Sequence, residues 1–179
     1  NESTEKIKTI LDIGSGSGCI AITLDKNVKS KVIGLDVSEK AIIIAKNNNI
    51  NVGANVTFIQ KKIEEYKPDI KFDLIVSNPP YIPIEDIDCV DENVKKFEPK
   101  SALFVNDDPI YFYKIIIKFS KKHINNNGKI YFEINDKYYS DLFKHVRDAN
   151  LSYSFVKDLN RKFRFLIINL WIFKFWYLN

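Results

Sequence analysis

Methionine is missing from all 179 residues, position 1 included, so the chain is expected to be part of a longer translation product. Only two cysteines occur, Cys19 and Cys89, and neither sits in a paired-ligand spacing such as Cys-x-x-Cys. That argues against a disulfide scaffold and a structural zinc site, and for a reducing compartment, here the cytoplasm. The two histidines, His123 and His145, fall in helix-like stretches with no partner at metal-ligand spacing, so no metal is expected. No run of about eighteen apolar residues exists to span a membrane. The nearest approach, Phe163 to Leu178, is interrupted by Asn169 and Lys174 and reads as a strand with an aromatic tail. An excess of one charge is also lacking: 27 Lys+Arg stand against 23 Asp+Glu, the bases scattered in pairs such as Lys61-Lys62, Lys95-Lys96 and Lys121-Lys122. Such scatter is a solvated surface rather than a nucleic-acid footprint.

What is present is the balance of a folded globular chain, 45% apolar and 28% charged, which excludes a disordered or collagen-like protein. The length suits one domain with a complete core, taken as residues 1–179. Apolar strand-like runs alternate with helix-like stretches, the pattern of a parallel sheet with crossover helices. Strands are expected at Thr9 to Ile13, Lys31 to Leu35, Val56 to Ile59, Phe72 to Val76 and Lys129 to Ile134. Helices are expected from Cys19 to Lys26, from the Ser38 cap to a polar stop at Asn47 to Asn49, from Pro109 to about Asn125, and from Asp141 to Asn150. Asn126-Asn127-Gly128 reads as a turn, and Ser152 to Lys157 with Phe163 to Leu170 as a closing antiparallel hairpin. Residues 82 to 107 form a long connection rich in Pro, Asp and Glu, a length that is usually functional. The expected fold class is α/β, a three-layer Rossmann-like sandwich around a seven-stranded, mostly parallel sheet.

Three segments carry chemistry. Asp12-Ile13-Gly14-Ser15-Gly16-Ser17-Gly18 stands at the tip of the first strand and opens a helix, where glycines let the backbone approach a ligand and free N–H groups face it. A dinucleotide fingerprint would put its third glycine at position 19, which is Cys19, a small side chain expected to be buried behind the loop. The third glycine is instead Gly18, which favours S-adenosylmethionine over a nicotinamide cofactor. Asp36 ends the second strand, where a carboxylate accepts the hydroxyl hydrogens of a ribose. Asn78-Pro79-Pro80-Tyr81 ends the fourth strand, because two prolines cannot continue a central ladder. An amide or aromatic amine nitrogen is a poor nucleophile, its lone pair being delocalised. The Asn78 side-chain carbonyl and the Pro79 main-chain carbonyl can accept its two hydrogens and aim the lone pair at a methyl donor. The prolines stiffen this pair, and Tyr81 offers a flat face for stacking.

Together with Phe72-Asp73-Leu74-Ile75-Val76-Ser77 before the motif, and Phe97-Glu98-Pro99-Lys100-Ser101-Ala102-Leu103 after it, these residues resemble the peptide chain release factor glutamine methyltransferases. The resemblance runs from about Thr9 to Leu170. It implies a class I methyltransferase fold and transfer of a methyl group from S-adenosylmethionine to the glutamine of a Gly-Gly-Gln loop, leaving S-adenosylhomocysteine. Gly14 to Gly18 would hold the methionine part of the cofactor, Asp36 the ribose, and Asn78, Pro79, Pro80 and Tyr81 the glutamine. A release factor would be the partner, with no nucleic acid, no membrane and a monomeric enzyme.

The chain departs from the family in two places. Where an Asp commonly meets the adenine amino group, Lys62 stands in Gln60-Lys61-Lys62-Ile63, leaving backbone contacts and the Ile63 side chain to flank the ring. The family's N-terminal helical domain and its basic, proline-containing motif have no counterpart before Ile10. Glu133-Ile134-Asn135 falls where relatives carry an acid followed by glycine, and Glu133 reads either as a site-shaping acid or as a surface carboxylate. The alternatives to this reading are an amino methyltransferase acting on adenine or guanine in nucleic acid, and a non-catalytic cofactor-binding module.

Overall fold

The computed structural model describes residues 7–89, 104–105 and 108–170. Its centre is a seven-stranded sheet built from β1 (Thr9–Ile13), β2 (Lys31–Asp36), β3 (Thr57–Gln60), β4 (Phe72–Ser77), β7 (Ile124–Glu133), β8 (Ser152–Lys157) and β9 (Phe163–Asn169). The order across the sheet is β3-β2-β1-β4-β7-β9-β8, with β9 antiparallel to both of its neighbours and the other pairings parallel. Chain order therefore runs outward from β1 in one direction and then from β4 in the other. This reversal opens a crevice at the carboxyl ends of β1 and β4.

Strand residues alternate between the two faces, and the core divides accordingly. Ile10, Val32 and Leu74 join Ala21 and Ile22 of α1 (Cys19–Asn27) and Ile42 and Ala45 of α2 (Glu39–Val52). Their neighbours Leu11, Ile33 and Ile75 face the other way, onto Tyr113 and Ile116 of α3 (Tyr111–His123) and Leu142 and Val146 of α4 (Tyr139–Asp148). The result is the three-layer α/β sandwich expected from the alternation of elements.

Two local expectations are corrected, and a third segment gains detail. The asparagines at 47 to 49 do not stop α2, which continues to Val52 and ends at Gly53 in a left-handed conformation (φ 63°). The Gly53 N–H bonds back to the Ile50 carbonyl at 3.1 Å and the Ala54 N–H to that of Asn49 at 2.9 Å, a glycine stop for which the asparagines carried no equivalent. Asn126-Asn127-Gly128 is not a free turn but a bulge inside β7, where the partner of β4 jumps from Ile124 opposite Phe72 to Lys129 opposite Leu74. Asn127 takes the positive φ (63°) that the bulge requires, the same chemistry that marks a turn in sequence. The long connection after β4 contains structure of its own: β5 (Ile82–Pro83) pairs in parallel with β6 (Phe104–Val105), and Ile84–Cys89 forms a 3-10 turn. The run Phe97 to Leu103 and the aromatic tail from Trp171 lie outside the described residues.

The end of the sheet opposite the crevice is clamped by one carboxylate. Asp73 accepts the N–H groups of Lys8 (2.8 Å) and Thr9 (3.0 Å), the Thr9 hydroxyl (3.1 Å) and the Asn125 amide (2.6 Å), joining the starts of β1, β4 and β7. Burial raises the Asp73 carboxyl, but these hydrogen bonds to its charged form outweigh it and hold the group below the usual carboxylate range.

Candidate active site

The register of the central strands brings four loops to one level. Ile13 at the tip of β1 pairs with Leu35 of β2 and with Ser77 of β4, and Ser77 pairs with Phe132 of β7. The next residue on each strand is Gly14, Asp36, Asn78 and Glu133, so a glycine loop, two carboxylates and the Asn-Pro-Pro-Tyr segment surround one crevice. The Ser77 hydroxyl donates to the Ile13 carbonyl at 2.7 Å in a buried setting, locking the β1 and β4 tips together.

The glycine loop is held in a conformation that side chains resist. Gly14, Gly16 and Gly18 take φ of 71°, 54° and 84°. Beyond Gly14 and Gly16 the space a Cβ would fill is open, so the backbone there can meet a ligand, whereas a Cβ on Gly18 would stand 2.7 Å from the Phe58 ring. Gly14 and Ser15 both donate their N–H groups to the Leu35 carbonyl, at 2.8 and 3.0 Å. Asp36 completes the brace: one carboxylate oxygen accepts the Gly16 N–H and the other the Ser38 N–H, each at 2.8 Å. Each oxygen keeps a lone pair for a further donor. Ser17 is exposed, and its carbonyl accepts the Asn48 amide at 2.9 Å.

Beneath the loop lie two buried polar atoms with no hydrogen-bond partner among the described residues, the Asp12 Oδ1 and the Ser15 Oγ. Asp12 is 1% exposed, and its Oδ2 accepts the Ala21 N–H at 3.1 Å, capping the first turn of α1 from inside because Gly18 has no side chain to do so. Burial pushes the Asp12 carboxyl up to about 7; the Ala21 hydrogen bond opposes that rise and the Asp36 charge adds to it. Unsatisfied polar atoms beside an open, glycine-lined crevice are the pattern of a site built for a polar ligand.

On the other wall Asn78 is exposed and Pro79 buried, with Pro80 and Tyr81 half-buried. Tyr81 packs against the main core, and burial, then the Glu133 carboxylate, push its phenol up while Arg164 pulls it down. Its ring is therefore neutral at physiological pH. After β3, the Lys61 N–H bonds the Asp36 carbonyl at 2.9 Å, Lys62 is exposed, and Ile63 is 8% exposed and joins the main core. Cys19 is exposed, not buried: it opens α1 beside the loop, its sulfur 3.2 Å from the Ser17 hydroxyl. His123 stacks on Phe119 with ring centroids 4.5 Å apart.

A family model described as a methyltransferase domain matches residues 4–160. The chain belongs to this methyltransferase-domain family. It is 40% identical over 173 residues to the release factor glutamine methyltransferase of Bacteroides thetaiotaomicron, covering 90% of this chain and 60% of that protein. It is 44% identical over 136 residues to the protein of the same name from Flavobacterium psychrophilum, covering 74% and 48%. The methyltransferase domain thus spans about half to three fifths of the length of these curated relatives. Its fold matches the crystal structure of a methyltransferase from Pyrococcus furiosus with a TM-score of 0.70 at 19% identity, over 93% of this chain and 77% of that one.

Within the methyltransferase domain, the strand register sets Gly14, Asp36 and Asn78, each one residue beyond a paired strand end, at one level. Ile63 packs in the main core with a small part of its surface exposed. Ser15 was expected in the glycine loop, whereas Asp12 and Ser77 carried no individual role in the sequence. The signal available for Asp12 and Ser77 was a polar residue inside an otherwise apolar strand, which demands a partner or a purpose.

Proposed function

We propose that this methyltransferase domain transfers a methyl group from S-adenosylmethionine to the side-chain amide nitrogen of the glutamine in the Gly-Gly-Gln loop of a peptide chain release factor. The shared level of Gly14, Asp36 and Asn78 around one crevice supports this reading most directly, since it sets a nucleoside-type site beside an amide-gripping motif. The names borne by the relatives from Bacteroides and Flavobacterium agree with it.

The residues fit the cofactor: open space at Gly14 and Gly16 admits its methionine part, and the free lone pairs of Asp36 suit ribose hydroxyls. Main-chain groups of Lys61 to Ile63 flank the adenine, because exposed Lys62 cannot accept from its amino group. When bound, the cofactor supplies an electrophilic methyl group carried on a positively charged sulfur. The domain's part is to make the amide nitrogen nucleophilic. Asn78 and Pro79 accept the two amide hydrogens through their carbonyl oxygens, which twists the lone pair out of conjugation and points it across the crevice. Burial of Pro79 and the ring constraint of Pro80 fix that geometry before substrate arrives. The neutral Tyr81 ring stacks on the flat amide. No base is required before attack, because the nitrogen becomes strongly acidic only as the new bond forms.

The enzyme works in this reading as a cytoplasmic monomer. Among the described residues no helix is long and apolar enough to cross a membrane. The test is transfer of labelled methyl from the cofactor, by the full-length protein, to a release factor and in parallel to duplex DNA and ribosomal RNA. Label in the release factor, lost when its Gly-Gly-Gln glutamine is replaced by alanine, is the expected result. Label found in nucleic acid alone would replace the proposal with an amino methyltransferase of that substrate.

A further inference from the structure

We propose that Glu133 sets an unpaired negative charge on the acceptor side of the crevice and thereby stabilises the cation that develops on the methylated nitrogen. The inference rests on the function proposed above.

The register that pairs Ser77 with Phe132 brings Glu133 out beside Asn78. The position is pinned from below: the buried Tyr113 of α3 donates its hydroxyl to the Glu133 carbonyl at 3.0 Å. Ile134, the next residue, gives its N–H to the Arg164 carbonyl at 2.9 Å. The strand tip is thus held from both sides, while the half-buried Glu133 carboxylate forms no hydrogen bond or ion pair with any described residue. The cation that also acts on Tyr81, Arg164, is committed to Asp158 at 3.3 Å. The field of Glu133 reaches the acceptor motif, since it raises the phenol of Tyr81 as well as that of Tyr113.

In the transfer, the carbon–sulfur bond breaks as the carbon–nitrogen bond forms. Sulfur keeps the electron pair and becomes a neutral thioether, nitrogen becomes positive, and its proton then leaves to water. Positive charge therefore moves from sulfur to nitrogen. A fixed charge speeds that step only by the difference between its interactions with the two positions. The strand order β2-β1-β4-β7 decides the sign. Glu133 on β7 is adjacent to Asn78 on β4 but two strands from the glycine loop on β1, and neighbouring strands are about 4.8 Å apart. The carboxylate is accordingly nearer the nitrogen than the sulfur and favours the transition state. At such separations in a half-screened site, the difference corresponds to roughly five- to tenfold in rate.

The experiment compares full-length wild type, Glu133→Gln and Glu133→Asp in labelled methyl transfer to a release factor, with S-adenosylhomocysteine binding measured by calorimetry and folding by thermal unfolding. Glu133→Gln keeps the shape and removes the charge. The expected result is a kcat about five- to tenfold lower, with KM for the release factor and S-adenosylhomocysteine affinity unchanged, and with most of the rate recovered in Glu133→Asp. A Glu133→Gln enzyme as fast as wild type, a loss seen in KM or cofactor affinity instead of kcat, or equal losses in both variants would overturn the inference while leaving the proposed function standing. A wild-type protein that transfers no methyl to the release factor would overturn both.

Discussion

Replacing Asp12 by Asn tests the electrostatics beneath the glycine loop through stability alone. The carboxyl is 1% exposed and pushed up to about 7 from an ordinary 3.8, so the folded chain retains a proton that the unfolded chain has released between those values. Stability must then fall as pH rises through that window, and level off above about 7. Each pH unit inside it is worth about 1.4 kcal/mol, so between pH 5 and pH 8 the ligand-free wild type loses roughly 2–3 kcal/mol from this one group. In Asp12→Asn the side-chain carbonyl still accepts the Ala21 N–H, but nothing titrates. An unsatisfied amide hydrogen there costs about 1–3 kcal/mol at every pH and cannot create a slope. Urea unfolding of both proteins from pH 5 to pH 8, without ligand, should show the variant gaining about 2–3 kcal/mol on wild type across the range. Parallel profiles would refute the claim that the crevice floor holds a protonated carboxyl.

Asp73 titrates in the opposite sense: its carboxyl is held below the ordinary value, so its contribution is present above about pH 4 and is lost as pH falls through that region. Asp73→Asn should therefore be less stable than wild type by about 1 kcal/mol at pH 7, a modest figure because the group is partly exposed, and the gap should narrow in acid unfolding as pH falls below about 4. The glycines separate conformational from steric cost. Gly14→Ala meets open space and suffers only its positive φ, about 1 kcal/mol, whereas Gly18→Ala adds overlap with Phe58 and should lose about 2–4 kcal/mol in denaturant titration. Equal losses at the two positions would contradict the packing described for Phe58.

The sheet was legible because each strand announced itself through an apolar run and each candidate site residue through its place at a strand end. Asp36 and Asn78 could be located in this way without knowing their neighbours. Features that depend on partners distant in sequence were not legible. Gly18 and Gly34 look like loop and strand glycines, but the Phe58 ring occupies the space their side chains would need. Asn47 to Asn49 resemble a helix stop, yet the backbone continues through them until Gly53 supplies the left-handed turn. Cys19 was expected inside because small thiols usually are, but the first residue of α1 stands beside the open loop. Ser77 lies one residue past the strand expected from sequence, and its role appears only when the Ile13 carbonyl is found 2.7 Å away. The level reached by Glu133 is likewise a property of register, which one strand alone does not fix.

The most direct measurement is the single-turnover rate of methyl transfer to a release factor by full-length Asn78→Ala, set beside its affinity for S-adenosylhomocysteine. If carbonyl acceptors make the amide nitrogen reactive, the rate falls about a hundredfold, near 3 kcal/mol, while the affinity stays within a few fold of wild type. An unchanged rate would contradict the account at its centre.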